Sequence, residues 1–148
     1  LFHNFGLHYV RQNQYENAVE QFDKAIALYP NYPPVLSDRG NALTEIGRFQ
    51  EALDSHNKAV ALAPNAPQVL TNRGLTFLRL KDYTAALRNY DEALKYDARD
   101  AYSWNNRAIA KRELGDKDGA IADFKKALEI NPTLASAKKA LSDLGAAP

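Results

Sequence analysis

Three histidines, no cysteine and a scatter of serines are the only side chains here that suggest covalent, metal or proton-transfer chemistry. His3 and His8 are five residues apart, which on a helix turns them to different faces and makes them poor partners for a metal. Ser37, Ser55, Ser103, Ser136 and Ser142 have no His–acid pattern around them, so nucleophilic catalysis has no carrier. The absence of Cys removes a thiolate metal site, a thiol nucleophile and a disulfide scaffold together. Asp116-Lys117-Asp118-Gly119 has a faint likeness to a calcium loop. It lacks the third acidic ligand and the bidentate Glu, so it reads as a solvated turn. The glycines are scattered as punctuation, not gathered into a phosphate loop. What remains is hydrogen bonding. Asn4, Asp38, Asn72 and Asn106 stand 34 residues apart. A carboxamide has two donors and an acceptor, so a row of them can hold a peptide backbone without reading its side chains. The expected chemistry is therefore binding, with no cofactor, no metal and no catalysis.

The elements that must position these groups follow from composition and period. The chain has 148 residues, 19 Lys plus Arg and 18 Asp plus Glu, for a net charge of +1. That balance offers no field to gather nucleic acid. No apolar run is long enough to span a membrane. There is no Met, so the natural start is expected outside this stretch, together with any targeting signal. A cytoplasmic location is expected, or a periplasmic one if a signal peptide has been removed. Alternating strand patterns are weak and helix formers are plentiful. An offset of 34 aligns the chain with itself without gaps. Ala18, Ala52, Ala86 and Ala120 fall in one column, and Gly6, Gly40, Gly74 and Ala108 in another. An aromatic column runs Phe22, His56, Tyr90, Phe124, which makes His56 a packing residue more than a ligand. Large apolar residues occupy Phe2, Leu36, Leu70 and Trp104, and prolines occupy Pro30, Pro64 and Pro132. Four units result, at 1–32, 33–66, 67–100 and 101–134.

Each column has a physical reason. Gly and Ala keep side chains short where two helices approach closely. The apolar columns recur at helical spacing and form a buried stripe. Proline ends each second helix because it has no N–H to donate. Gly47 and Gly115 mark the turn inside their units, and Asn13 and Lys81 take that place elsewhere at some cost. Each unit is thus a hairpin of two helices that cannot bury its apolar face alone, and stacking buries it. Trp104 is expected to pack inside the fourth hairpin near Ala120 and Phe124.

The period and its columns resemble the tetratricopeptide repeat (TPR) family. The fourth unit carries the pattern as Trp104, Arg107-Ala108, Lys111, Ala120, Phe124, Ala127 and Pro132. The second carries it as Leu36, Arg39-Gly40, Leu43, Ala52, His56, Ala59 and Pro64. The resemblance implies an all-α, right-handed superhelical solenoid of helical hairpins, a single domain over 1–148, with residues 135–148 as a capping helix stopped by Gly145 and Pro148. The usual Leu beside the Gly is replaced by Arg39, Arg73 and Arg107, and by Phe5 in the first unit. These arginines either lay their stems across the neighbouring helix toward acidic groups, the favoured reading, or present guanidinium forks to a ligand. Lys111 and Lys117 stand where the family has apolar or aromatic residues, so looser packing or use of the aliphatic stems is expected there.

In the family the first helix of each hairpin lines the concave wall, and asparagines at the sixth place hold extended peptides. The resemblance therefore assigns Asn4, Asp38, Asn72 and Asn106 to a peptide groove. Asn41 and Asn105 add amides to the same wall, Tyr102 stands at its entrance with Gln68, and Arg79 contributes a charge. Members that hold the acidic tails of heat-shock chaperones use two Lys, two Asn and an Arg. The matching places are Ser37, Asn41, Asn72, Tyr102 and Asn106, with every cation missing. A protein or peptide partner other than such a tail is expected. Two alternatives remain: an assembly module that forms homo-oligomers through the apolar N-terminal edge of Leu1, Phe2, Phe5 and Tyr9, or the substrate-binding arm of a larger enzyme of the O-GlcNAc transferase kind.

Overall fold

The computed structural model describes residues 1–147, and these form nine helices and no strand. The first hairpin pairs α1 (Phe2–Arg11) with α2 (Tyr15–Leu28), and the second pairs α3 (Pro33–Glu45) with α4 (Phe49–Leu62). The third pairs α5 (Pro67–Arg79) with α6 (Tyr83–Tyr96), and the fourth pairs α7 (Ala101–Glu113) with α8 (Lys117–Ile130). A last helix, α9 (Ala135–Asp143), lies against α8. It ends at Asp143, and Gly145 follows in the left-handed region at φ 72°. The stop expected at Pro148 lies outside the described residues.

Local chemistry sets the boundaries. Pro33 and Pro67 open their helices where a missing N–H costs nothing. Asp82, Asp100 and Asp116 cap α6, α7 and α8 by accepting from the N–H of Ala85, Tyr102 and Gly119. Asp116 of the calcium-like run is thus a helix cap. Inside each hairpin the chain reverses through one left-handed residue: Asn13 at φ 57°, Gly47 at 78°, Lys81 at 60° and Gly115 at 89°. Two of these are glycine, the residue with no Cβ to strain.

The interior is a repeated contact of ring on backbone. Phe22 covers Gly6, His56 covers Gly40 and Tyr90 covers Gly74, where a Cβ would stand 2.9 Å from the Tyr90 ring. Ala18, Ala52, Ala86 and Ala120 are wholly buried where the helices of each hairpin meet. His56 belongs to a directed chain. Thr44 Oγ1 gives its proton to the Gly40 carbonyl, 2.9 Å away. Thr76 Oγ1 therefore donates to Thr44 across 2.7 Å and accepts Nε2–H from His56 across 3.0 Å. Nδ1 is left as a buried lone pair without a partner. Burial, with the charge of Arg73, lowers the His56 pKa to about 4.

The arginine column staples the stack. Arg39 bonds Asp23 of the preceding hairpin and Ser55 of its own, each at 2.6 Å. Arg73 repeats this with Asn57 at 3.2 Å and Asn89 at 2.7 Å. Arg107 does so with Asp91 at 3.0 Å and, by two bonds, with Asp123. Each of these hydrogen-bond partners lies sixteen residues before or after its arginine, on a second helix. Lys111 does not simply lay its stem on the core. Its ammonium joins Asp123 at 3.0 Å. Trp104 packs against the cluster holding Ala120 and Phe124 but is only partly buried. Its indole N–H donates to the Ala98 carbonyl, and the Arg107 guanidinium stacks 4.7 Å from the ring centre. It therefore packs against the interior of its own hairpin, as expected, and also seals the joint with the hairpin before it.

Candidate functional site

The first helices α1, α3, α5 and α7 follow one another along the stack, so the same turn of each contributes to a common wall. Two of the sixth-place residues are tied to the hairpin before by rungs. Asp38 Oδ2 lies 2.7 Å from His3 Nε2, and Asn72 Nδ2 donates to Ser37 Oγ across 2.8 Å. Both rungs span 35 residues, from the sixth place of one unit to the fifth of the unit before it. Asn72 also accepts from Gln68 across 3.0 Å, which leaves it one N–H and part of its carbonyl. Asn106 accepts a long contact from Asn105, at 3.4 Å, and its side chain lies beside the buried Tyr90 hydroxyl. Asn4 is exposed and Asn41 half-buried, and neither makes a side-chain bond among the described residues.

Other predicted wall residues sit differently from expectation. Asn105 is buried, because α9 crosses over it and Ser136 Oγ donates to its carbonyl across 3.3 Å. The fifth place faces the next first helix and not the open wall, which also explains the burial of Ser37. Asp38 is not a free carboxylate, since His3 is its partner. Arg79 is not a free cation either: Nη2 meets Glu45 Oε1 at 3.1 Å across one full period. Tyr102 is exposed on the first turn of α7.

Column-by-column reading of the wall misses a cleft at its N-terminal end. Tyr29 and Tyr32 wall a space of about 420 Å³ together with Leu28, Phe2, His3 and Asn4. The His3 ring meets Tyr32 edge-on, with centres 6.0 Å apart. One period on, Ala63, Ala66, Pro34, Val69, Asp38 and Asn72 line a second space of about 480 Å³. The signal in the sequence is a departure, not a match: Tyr29 and Tyr32 are answered by Ala63 and Ala66, then by Asp97 and Asp100.

These helices, rungs and 34-residue columns can be set against known proteins. A sequence model of the tetratricopeptide repeat matches residues 3–67 and 71–135. The chain belongs to the tetratricopeptide repeat family. No curated protein matches it. Among solved structures, the MamA 41-end fragment from Desulfovibrio magneticus RS-1 is 22% identical with a TM-score of 0.86, over 97% of this chain and 81% of that one. The first TPR of Spaghetti (RPAP3), bound to the HSP90 peptide SRMEEVD, is 26% identical with a TM-score of 0.74, over 76% and 90%. The Arabidopsis OM64 TPR domain is 27% identical with a TM-score of 0.73, over 76% and 93%. As a TPR chain this protein has the architecture of a protein-interaction scaffold. No helix among the described residues is long and apolar enough to cross a membrane.

Proposed function

We propose that the wall of first helices is a peptide groove that holds an extended segment of a partner protein by its backbone. The observation that carries this reading is the sixth-place column, where Asn4, Asn72 and Asn106 keep donor and acceptor capacity beyond their contacts within the chain. The relative bound to SRMEEVD takes an acidic peptide. Here Ser37, Asn41, Asn72, Tyr102 and Asn106 bring no cation, and Arg79 is already paired with Glu45. A multiply charged acidic tail would lack its main attraction, so the ligand is a segment of another kind. Calorimetric titration of a peptide panel against Asn72→Ala and Asn106→Ala tests this. Each substitution should weaken every bound peptide by about 0.5–1.5 kcal/mol, the net worth of one hydrogen bond. Unchanged binding by the double variant would leave the column as a solvated helix face.

One observation favours a second reading, in which the N-terminal face is a stacking surface. Leu1 is 82% exposed, yet the residues at the same place later in the stack, Val35, Val69, Ser103 and Ala137, are buried. This face has the pattern of a surface that another helical hairpin covers, in the same polypeptide or in a second copy. Light scattering over a range of concentrations separates the two, because only a second copy makes the mass rise.

A further inference from the structure

Exposed apolar side chains concentrate in the first hairpin, and the repeat provides its own control for what they mean. Leu1 lies at a place that is buried wherever a hairpin precedes, at Val35, Val69, Ser103 and Ala137, so its exposure reports a missing neighbour. Leu28, Tyr29 and Tyr32 are different. They lie at the junction of the first and second hairpins, where both neighbours are present, and remain 62%, 70% and 47% exposed. One period on, Leu62 is also 42% exposed in the interior of the stack. Between the inner hairpins stacking does not bury these places; only Leu134, the last counterpart of Tyr32, is buried, in the C-terminal cluster.

We infer that the Tyr29–Tyr32 cleft is the anchor subsite of the proposed groove, receiving one large uncharged side chain, aliphatic or aromatic, from the bound segment. This rests on the peptide-groove reading above and adds the ligand's chemistry to it. The cleft has the size and make-up of a ligand site: about 420 Å³, apolar walls and few polar groups. Asn4 opens onto it with its amide unbonded, which suits a backbone group beside the anchor. Asp38, the acid bonded to the cleft's His3 at 2.7 Å, is already engaged. A ligand Lys or Glu would therefore enter without a counter-charge and would lose its water. The next subsite along the wall, with Ala63, Ala66, Pro34 and Val69, is apolar but lacks large walls, so it suits a smaller residue. Packed helices stand about 10 Å apart and an extended chain rises about 3.3 Å per residue. The small residue therefore falls about three places from the anchor.

The test uses blocked peptides of Gly and Ser carrying Leu, Phe, Ala, Lys or Glu at one place and Ala three places on. They are titrated by NMR against the whole chain. Leu and Phe peptides should bind at least tenfold tighter than Ala, Lys or Glu peptides and shift the signals of Asn4, Tyr29 and Tyr32. Tyr29→Ala with Tyr32→Ala should bring Leu down to the level of Ala. Both sites are exposed, and a circular dichroism spectrum verifies that the fold is kept. Ala63→Tyr with Ala66→Tyr should create a second preference for a large residue, three places on. Equal binding of Leu and Ala peptides, or a Leu preference that survives loss of both tyrosines, overturns the anchor. If the anchor preference fails while Asn72→Ala with Asn106→Ala still weakens all peptides, the groove stands without it. If the tyrosines matter and the asparagines do not, the amide column fails and the anchor stands. No binding by any peptide overturns both.

Discussion

The joint between the second and third hairpins and the joint between the third and fourth are built on the same backbone place. Arg73 and Arg107 each reach sixteen residues back and sixteen forward. Around Arg107 the charges balance: Asp91 and Asp123 answer Arg107 and Lys111, and the Asp123 side chain is only 5% exposed. Burial works against the Arg107 charge, but the bonds and charges of Asp123 and Asp91 more than offset it, so its pKa is raised. Arg73 meets two amides and no carboxylate. Burial lowers its pKa, and its uncompensated charge helps keep His56 neutral. The repeat decides which residues meet, and the side chains decide whether the meeting is ionic. A joint that lacks its carboxylates exports its charge problem to the nearest buried base.

The largest effect should come from breaking the ionic joint. Arg107→Ala leaves the buried Asp123 with Lys111 alone and should cost about 3–5 kcal/mol in urea unfolding. Arg73→Ala removes only bonds to amides and should cost about 1–2 kcal/mol. Equal losses would mean that the carboxylates add nothing. Acid should single out the amide joint next. His56 has a folded pKa of about 4 against an ordinary 6.5, so the unfolded chain takes up the proton first as pH falls. This contribution to stability is complete above pH 6.5, declines below it and is gone by about pH 4, a loss of about 3 kcal/mol. His56→Phe places the ring of Phe22 and Phe124 at the same column and should flatten that slope in unfolding curves taken at each pH. A slope that persists would assign acid sensitivity to the carboxylates. The smallest change is Asn57→Asp, which gives Arg73 the counter-charge that Asp91 gives Arg107. It should stabilise by less than about 1 kcal/mol, and added salt should erase the gain.

The sequence made legible whatever repeats in register. The ring-on-glycine columns, the left-handed turns at Asn13 and Lys81 and the inward use of the arginines all follow from comparing equal places 34 residues apart. Contacts between unequal places were not legible in this way. The rungs from His3 to Asp38 and from Ser37 to Asn72 run at an offset of 35, so column comparison shows both ends and never the bond. The burial of Asn105 depends on how α9 lies across α7, which a helical wheel of α7 alone does not contain. The tyrosine cleft was hidden for the opposite reason, since alignment of repeats rewards agreement and Tyr29 and Tyr32 disagree with their counterparts.

The short helix α1 has a consequence for affinity. Its N-cap, Leu1, makes no side-chain cap bond, and its outer face rests on nothing among the described residues. In a linear stack such an end unit is held by one interface where inner units have two, so it opens most often. When α1 lifts away, Phe2, His3 and Asn4 leave the cleft and its tyrosine wall stands alone. A ligand of the cleft binds only the seated fraction of molecules, and its apparent dissociation constant is the intrinsic one divided by that fraction. Whatever covers Phe5 and the outer side of Leu1 would therefore tighten binding at the neighbouring cleft, simply by keeping the first helix in place.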